Sequence, residues 1–187
     1  MSKLLALQVK RIPVTADAYD SRTIALHWIT VAFVLPMWII GQCIDLFPKG
    51  VPRMNARSVH ITLGAILAVL LIVRIVWRMR GGVRLPPSDP GISGKMAIGG
   101  HYLLYALLIA VIVLGVTCVW VRGDTLFDLF TVPAFDPKNK QLPEEVVDIH
   151  GLAANALLAI AGVHALVALL HHRVLKDGVL RRMWPRR

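Results

Sequence analysis

Four long apolar stretches occupy most of this 187-residue sequence. A helix that crosses a bilayer needs about 20 predominantly apolar residues, and each stretch is long enough to do so. The stretches cover approximately residues 24–44, 59–77, 98–121 and 147–170. Because they leave little of the chain for a soluble domain, they predict an all-α membrane protein, a bundle of four transmembrane helices.

The remaining residues carry a large excess of positive charge. The chain contains 21 Lys and Arg against 11 Asp and Glu, for a net charge of +10, although 56% of its residues are hydrophobic. This composition excludes a disordered chain, and two cysteines cannot form the disulfide framework of a small secreted protein. Since the basic residues must lie in short loops and tails, they favour the cationic cytoplasmic loops of a membrane protein over a nucleic-acid binder.

The distribution of the basic residues predicts which loops face the cytoplasm. They are concentrated in the N-terminal tail, the loop between the second and third stretches and the C-terminal tail. The other two loops also contain acidic residues, seven when Asp148 at the start of the fourth stretch is included. By the positive-inside rule both termini are then cytoplasmic. We expect a cytoplasmic tail over residues 1–23, a membrane domain over 24–172 and a basic cytoplasmic tail over 173–187. The longer outer loop, residues 122–146, has room for a short surface helix.

Seven histidines accompany the apolar stretches, and four of them form a pattern. A single histidine near the end of a span is explained equally well by an interfacial position, whereas polar groups within a span are usually functional. His150 and His164 are 14 residues apart, which places them on one helix face with an axial separation of about 21 Å. By the predicted sidedness His27 lies level with His164 near the cytoplasmic surface, and His60 lies level with His150 near the outer surface.

Histidines that face one another at the same depth of a helical bundle are the usual axial ligands of a haem iron. The pairs His27–His164 and His60–His150 therefore predict two stacked haems, which would form an electron path across the bilayer. Two protein ligands on each iron leave no open coordination position, which favours electron transfer over oxygen binding. Small residues near the histidines leave room for a porphyrin, although they also serve ordinary helix packing. They are Gly64, Gly151, Ala153, Ala154, Ala161, Gly162 and Ala165.

Two further polar residues lie on the faces that carry these histidines. Arg74 follows His60 by 14 residues, where its guanidinium can bind a haem propionate or a quinone oxygen, or can extend to the inner membrane surface. His171 follows His164 by seven residues, so it lies about 10 Å nearer the cytoplasm on the same face. There it either bonds to a quinone carbonyl and supplies a proton, or is an interfacial residue.

His101 and Trp28 are candidates for the same quinone site. His101 opens the third stretch on the predicted cytoplasmic side. There it can line the quinone site, contact a propionate, or replace His27 as the partner of His164. Trp28 follows a predicted ligand in sequence and can contact the edge of a haem or a quinone.

Five segments carry a resemblance to known proteins: His27-Trp28, Val59-His60 to Gly64, Gly100-His101-Tyr102, Ile149-His150-Gly151 to His171-His172, and Leu175-Lys176-Asp177 to Pro185. Over about residues 22–185 the chain resembles the bacterial di-haem cytochrome b561 family of inner-membrane proteins. The resemblance implies two b-type haems with His27, His60, His150 and His164 as ligands, and electron exchange with ubiquinone. One activity in the family is oxidation of superoxide outside the cytoplasm, with the electrons passed to quinone. The longer N-terminal tail and the different outer loop leave the electron donor open.

The first outer loop contains three cations, Lys49, Arg53 and Arg57, which can draw in an anion such as superoxide or neutralise the propionates of the outer haem. Cys43 and Cys118 both lie near outer ends of the spans. A disulfide between them is geometrically conceivable, but we expect buried thiols.

The sequence thus predicts a transmembrane electron-transfer cytochrome, an oxidoreductase that links a periplasmic one-electron donor to ubiquinone. The donor is superoxide by resemblance, or a periplasmic redox protein. One alternative is a haem-bearing membrane subunit that serves a separate dehydrogenase or a periplasmic carrier. Another is a histidine-lined metal or proton transporter, which is disfavoured because no carboxylate accompanies the histidines within the spans. Whether the chain forms a homo-oligomer is left open.

Overall fold

The computed structural model describes residues 18–86 and 91–185 of the chain. It contains four long helices, α1 (Ser21–Cys43), α2 (Val51–Arg80), α3 (Ile92–Arg122) and α4 (Gln141–Leu170). All four are long and apolar enough to cross a membrane, which confirms the prediction of an all-α, multi-pass bundle. The predictions for residues 1–17 and for residues 186–187 lie outside the described residues.

The helices extend beyond the apolar stretches that identify them. α2 begins at Val51, because Pro52 suits the first turn of a helix, where no backbone N–H is needed. α4 begins at Gln141, so its first turns are polar. Hydropathy detects only the part of each helix that can lie in lipid, whereas the helical hydrogen bonds continue to a cap. At the cap of α3, Gly123 has a φ of 66°, and a Cβ there would lie 2.9 Å from that of Ala134.

The helices form two pairs, α1 with α2 and α3 with α4, and the pairs pack more loosely against each other. The buried core lies at mid-length of the bundle and consists of Leu67 and Leu71 of α2, Leu108 of α3 and Leu157 of α4. Most other large apolar side chains are exposed, as expected for helices that face lipid. The histidines predicted to face each other lie where the α1–α2 pair of helices packs loosely against the α3–α4 pair.

One end of the bundle, here called the terminal end, is where the chain enters α1 and leaves α4. The backbone N–H of Tyr19 donates to the carbonyl of Arg182 there. A π-helical turn, His171–Leu175, leads from α4 into residues 177–184, the C-terminal strap, which folds back over this end. The Arg182 side chain ties the strap to the α2–α3 loop by donating to the carbonyl of Pro86. The described part of the predicted basic tail is therefore packed against the bundle.

The opposite end carries a short antiparallel hairpin and is called the hairpin end. Its strands are β1 (Thr125–Leu126) and β2 (Phe130–Thr131). Phe127 and Asp128 in the turn have positive φ, the backbone that a tight hairpin turn needs. The N–H of Phe127 donates to the fully buried hydroxyl of Ser58, which fixes the turn to α2. The predicted surface helix within residues 122–146 is therefore wrong, and residues 141–146 are the first turns of α4.

Candidate haem-binding site

Each of the four helices carries polar or small residues at two positions 14 residues apart, and the bundle brings these positions together in two layers. Since 14 residues span about 21 Å of helix, one layer lies toward each end, with the leucine core between them. The terminal-end layer contains His27, Arg74, His101 and His164. The hairpin-end layer contains Gly41, His60, Gly115 and His150.

In the hairpin-end layer the His60 and His150 rings are nearly perpendicular, with centroids 6.3 Å apart. Both Nδ1 atoms are buried and lack a hydrogen-bond partner. A backbone carbonyl nevertheless lies close to each ring, that of Met37 for His60 and that of Val111 for His150. A neutral imidazole that directs Nδ1–H at such a carbonyl leaves the lone pair of Nε2 free for a metal.

Two glycines allow the rings to sit against bare backbone. A Cβ at Gly41 of α1 would lie 3.3 Å from Cε1 of His60, and a Cβ at Gly115 of α3 would lie 3.2 Å from Cε1 of His150. Any larger residue would have to displace the ring it faces. The hairpin-end layer is therefore a cradle in which two helices hold the rings and two others make room for them.

In the terminal-end layer the His27 and His164 rings have centroids 6.5 Å apart. His101 lies nearer, with its ring 5.2 Å from that of His164. Its Nδ1 is 2.7 Å from the carbonyl oxygen of Ala97. Since a carbonyl can only accept, Nδ1 carries the proton and Nε2 of His101 is free. Three imidazoles therefore gather at this depth, two of them around His164.

The ring spacings distinguish the candidate pairs. An iron held between two imidazoles by metal–nitrogen bonds of about 2 Å requires ring centres roughly 6 Å apart. The pairs His60–His150 and His27–His164, at 6.3 Å and 6.5 Å, meet this requirement, whereas His101 lies too close to His164. The ring spacings, the carbonyls beside the hairpin-end rings and the glycine cradle all fit a haem.

Arg74 lies among the terminal-end histidines. Its Nη2 is 3.3 Å from Nδ1 of His27, and its guanidinium lies 5.1 Å from the ring centre of Tyr105. A guanidinium can only donate, so Nδ1 of His27 accepts and the neutral ring carries its proton on Nε2. Ligation through Nε2 would require the opposite tautomer, so His27 could bind a metal there only if this contact broke. The guanidinium is then available for an anionic group at the same depth.

The remaining quinone candidates lie between the bundle and the strap. Trp28 Nε1 donates to a carbonyl of the strap at 2.7 Å, and its ring meets those of His27 and Trp184 edge-on. Nδ1 of His171 bonds to the Asp177 carboxylate in the strap. Trp28 is thus next to a candidate ligand, while His171 is held at the strap.

The sequence found only part of the small-residue pattern. Gly64 accommodates a methionine of α1, since a Cβ there would lie 3.4 Å from its methyl group, and so serves packing between α1 and α2. Gly151 and Gly162 have no neighbour within 4 Å of an added Cβ. Gly41 and Gly115, which do touch the rings, were not predicted. The available signal was their position 14 residues after a histidine of the same helix.

Two of the three predicted outer cations are paired. Arg53 forms an ion pair with Asp45 at 3.3 Å. Arg57 pairs at 3.0 Å with the buried carboxylate of Asp124, which Arg122 also approaches at 3.6 Å. The positive field expected at this end is therefore reduced, although two guanidinium groups share a single carboxylate.

The cysteines are both free thiols. Cys118 is buried, as expected, with Sγ 3.7 Å from the carbonyl of Val146, whereas Cys43 is half-buried. Within the described residues, no group of three or more His, Cys, Asp or Glu side chains is arranged to hold a metal ion directly. The histidine pairs are the metal-ligating feature that this part of the chain offers.

Comparison with known proteins identifies the family of the chain. The model of the family described as prokaryotic cytochrome b561 matches residues 18–186. The chain belongs to this cytochrome family. It is 32% identical to a probable superoxide oxidase CybB of Yersinia pestis, over 90% of this chain and 97% of that protein. It is 31% identical to cytochrome b561 homolog 1 of Escherichia coli K12, over 91% and 99%. It is 34% identical to cytochrome b562 of Cereibacter sphaeroides, over 88% and 94%.

Membership of the cytochrome b561 family settles the general character of the chain. It is a multi-pass membrane protein of electron transfer, and its cofactor is haem b. The resemblance that the histidine motifs suggested is therefore confirmed.

Proposed function

We propose that this cytochrome holds two haem b groups and carries electrons from superoxide in the periplasm to ubiquinone. The terminal end then faces the cytoplasm and the hairpin end faces the periplasm of the bacterial inner membrane, in agreement with the positive-inside rule. His60 and His150 ligate the periplasmic iron, and His27 and His164 ligate the cytoplasmic iron. The observation that carries this proposal is two pairs of rings, each at the ligation distance, on either side of the leucine core.

Bound haem supplies a one-electron couple between ferric and ferrous iron. The chain contributes ligation, orientation and charge. The carbonyls of Met37 and Val111, which lie beside the hairpin-end rings, would accept Nδ1–H in the tautomer that ligates through Nε2. Arg74 is the cation available to a propionate of the cytoplasmic haem. With two histidines on each iron, the chain would leave no ligand position for dioxygen, which suits electron transfer.

Superoxide as the donor is supported by the relative named a probable superoxide oxidase and by the hairpin-end surface. A cavity of about 380 Å³ opens there, and its lining includes Arg57, Arg122 and Asp124. Two cations against one carboxylate leave a net positive charge, which favours the approach of a small anion. The overall reaction balances as two superoxide ions, one quinone and two protons giving two molecules of oxygen and one quinol.

Ubiquinone as the acceptor is supported by the terminal end. Trp28, with about a third of its surface exposed, lies edge-on to the His27 ring and offers an aromatic wall. His101 has a free Nε2 beside His164, and His171 is half-exposed at the strap. These three side chains can contact a quinone head group that enters from the lipid beside the cytoplasmic haem.

The test uses the purified full-length protein in lipid nanodiscs. We expect two haem b per chain, low-spin spectra for both irons, and ubiquinone reduction that requires superoxide. A single haem, or an iron with a vacant sixth position, would overturn the ligand assignment. Two haems without superoxide-dependent reduction would favour a subunit that serves another dehydrogenase or carrier. A folded, colourless protein would favour the transporter.

A further inference from the structure

Asp177 uses both oxygens of its carboxylate. Oδ2 accepts a hydrogen bond from Nδ1 of His171, and Oδ1 accepts one from the backbone N–H of Val179 at 3.1 Å. The carboxylate is thereby fixed in orientation as well as in place. The hydrogen bond from His171 lowers the pKa of Asp177 below its ordinary value, so the carboxylate remains ionised under mildly acidic conditions as well as at neutral pH.

The backbone departs from α-helical geometry between His171 and Asp177, and this departure brings the two side chains together. α4 gives way at His171 to a single π-helical turn, a deviation that is often associated with functional sites. Lys176 and Gly178 on either side of Asp177 then adopt left-handed conformations, with φ of 52° and 78°. The chain reverses there, and Asp177 returns to a histidine six residues earlier. An uninterrupted α-helix would carry the carboxylate away from the bundle.

The pairing with Asp177 determines which ring nitrogen of His171 is available to a ligand. With Nδ1–H directed at Asp177, the other nitrogen, Nε2, is the one that faces any partner outside the pair. The two side chains are 24% and 32% exposed, so protons can reach them from water. His171 lies seven residues after His164 on the continuation of α4, about 10 Å nearer the cytoplasm. The strap that carries Asp177 also contacts Trp28.

We propose that Asp177 is a positioning residue of the quinone site, which orients His171 and holds a carboxylate charge against its ring while His171 delivers a proton to a quinone carbonyl. This inference rests on the proposed function. Reduction of the quinone consumes two protons and two electrons, which bound haem would supply one at a time. His171 transfers one proton from Nε2 to a carbonyl oxygen and recovers it from cytoplasmic water. The second proton also comes from water, and the product is the quinol.

The test compares wild-type holoprotein with Asp177→Asn, whose amide oxygen can still accept a hydrogen bond but carries no charge. We expect kcat for reduction of ubiquinone-1 to fall at least about 10-fold, with KM nearly unchanged because the quinone pocket is intact. Haem spectra and the rate of haem reduction by superoxide without quinone should not change. Asp177→Glu, which restores the charge, should recover part of the lost kcat.

Two further variants separate charge from packing. Arg182→Gln removes the strap's bond to Pro86 and leaves the His171–Asp177 pair intact, so it should retain wild-type kcat. His171→Gln should lower kcat, and adding Asp177→Asn to it should cost little more, because the two residues act together. This comparison remains informative if Asp177→Asn alone loosens the strap.

The outcomes distinguish this inference from the function on which it rests. Wild-type protein that reduces no quinone overturns both. Wild-type protein that reduces quinone, with Asp177→Asn at the same kcat, overturns the inference alone. A loss in Arg182→Gln equal to that in Asp177→Asn, or additive losses in the double variant, also overturns it, since the strap rather than the carboxylate would then be responsible.

Discussion

Gly41 of α1 lies against the His60 ring of α2, where a methyl group in place of its hydrogen would come within 3.3 Å of Cε1. The same relationship links α3 to α4 through Gly115 and His150, at 3.2 Å. Each candidate ligand of the hairpin-end haem therefore depends on a glycine of a different helix. The space for the ring is supplied by one helix and the ring itself by another.

This relationship predicts the effect of a side chain at position 41. Gly41→Val should push the His60 ring out of line with its partner, because its branched side chain needs more room than the 3.3 Å gap provides. We expect bound haem to fall from two per chain toward one, with the remaining haem retaining the wild-type spectrum. Gly99→Val is the matched control, since an added Cβ there meets nothing within 4 Å. Full haem content in Gly41→Val would contradict the cradle.

A second prediction concerns the partner of His164. His27→Ala and His164→Ala should each abolish the same haem and leave the other intact, because the His27 ring is at the ligation distance. His101→Ala should retain both haems, since its ring is too close to share an iron with His164. Redox titration of each variant, followed in the haem absorption bands, makes the comparison. Loss of the cytoplasmic haem in His101→Ala, with His27→Ala unaffected, would reverse the assignment.

Sequence reasoning found the features that depend on one helix at a time. The length of the apolar stretches predicted the spans, and the 14-residue spacing of His150 and His164 placed two candidate ligands on one helix face. The contacts that cross between helices were not visible in this way. The role of Gly41 and Gly115 is to make room for histidine rings that belong to other helices, and the sequence of one helix does not show this contact. The reversal that brings Asp177 to His171 depends on two left-handed residues within a few positions.

The hairpin at Phe127 shows why one local prediction was wrong. The segment after α3 was expected to form a surface helix, because its length allows one. The buried hydroxyl of Ser58 and the ion pair between Arg57 and Asp124 instead hold it against α2. These tertiary partners lie almost 70 positions earlier in the chain. The sequence of the loop alone therefore does not predict the contacts with them. Secondary-structure propensity predicts a segment poorly where tertiary contacts stabilise a different conformation.

A third prediction concerns Asp20, which joins the start of α1 to the end of α2. Burial opposes ionisation of this carboxyl, but hydrogen bonds from Thr23, Val83 and Trp77 outweigh it and lower its pKa to about 2. A depressed pKa stabilises the folded state at pH values above the ordinary pKa of the group. That contribution, about 1–2 kcal/mol after allowance for solvent screening, is lost as the pH falls from about 4 to about 2.

Thermal unfolding of Asp20→Ala in detergent checks this expectation. The variant should unfold at a lower temperature than wild type at pH 7, and the difference should shrink as the pH is lowered toward 2. Asp45→Ala is the control, because its side chain is 85% exposed and its ion pair with Arg53 lies at the surface. If the Asp20 variant matches wild type at pH 7, the carboxylate does not hold the two helices together.

The last prediction concerns Ser58, whose hydroxyl is fully buried between α2 and the hairpin. It donates to the carbonyl of Met54 and accepts from the N–H of Phe127. Ser58→Ala leaves that partly buried N–H without its acceptor, which should lower the free energy of unfolding by about 1 kcal/mol. Amide exchange at Phe127 should accelerate, while the haem spectra remain unchanged. Thr117→Ala is the control, since the exposed hydroxyl of Thr117 bonds only within its own helix. Equal losses of stability in the two variants would show that the hairpin does not depend on Ser58.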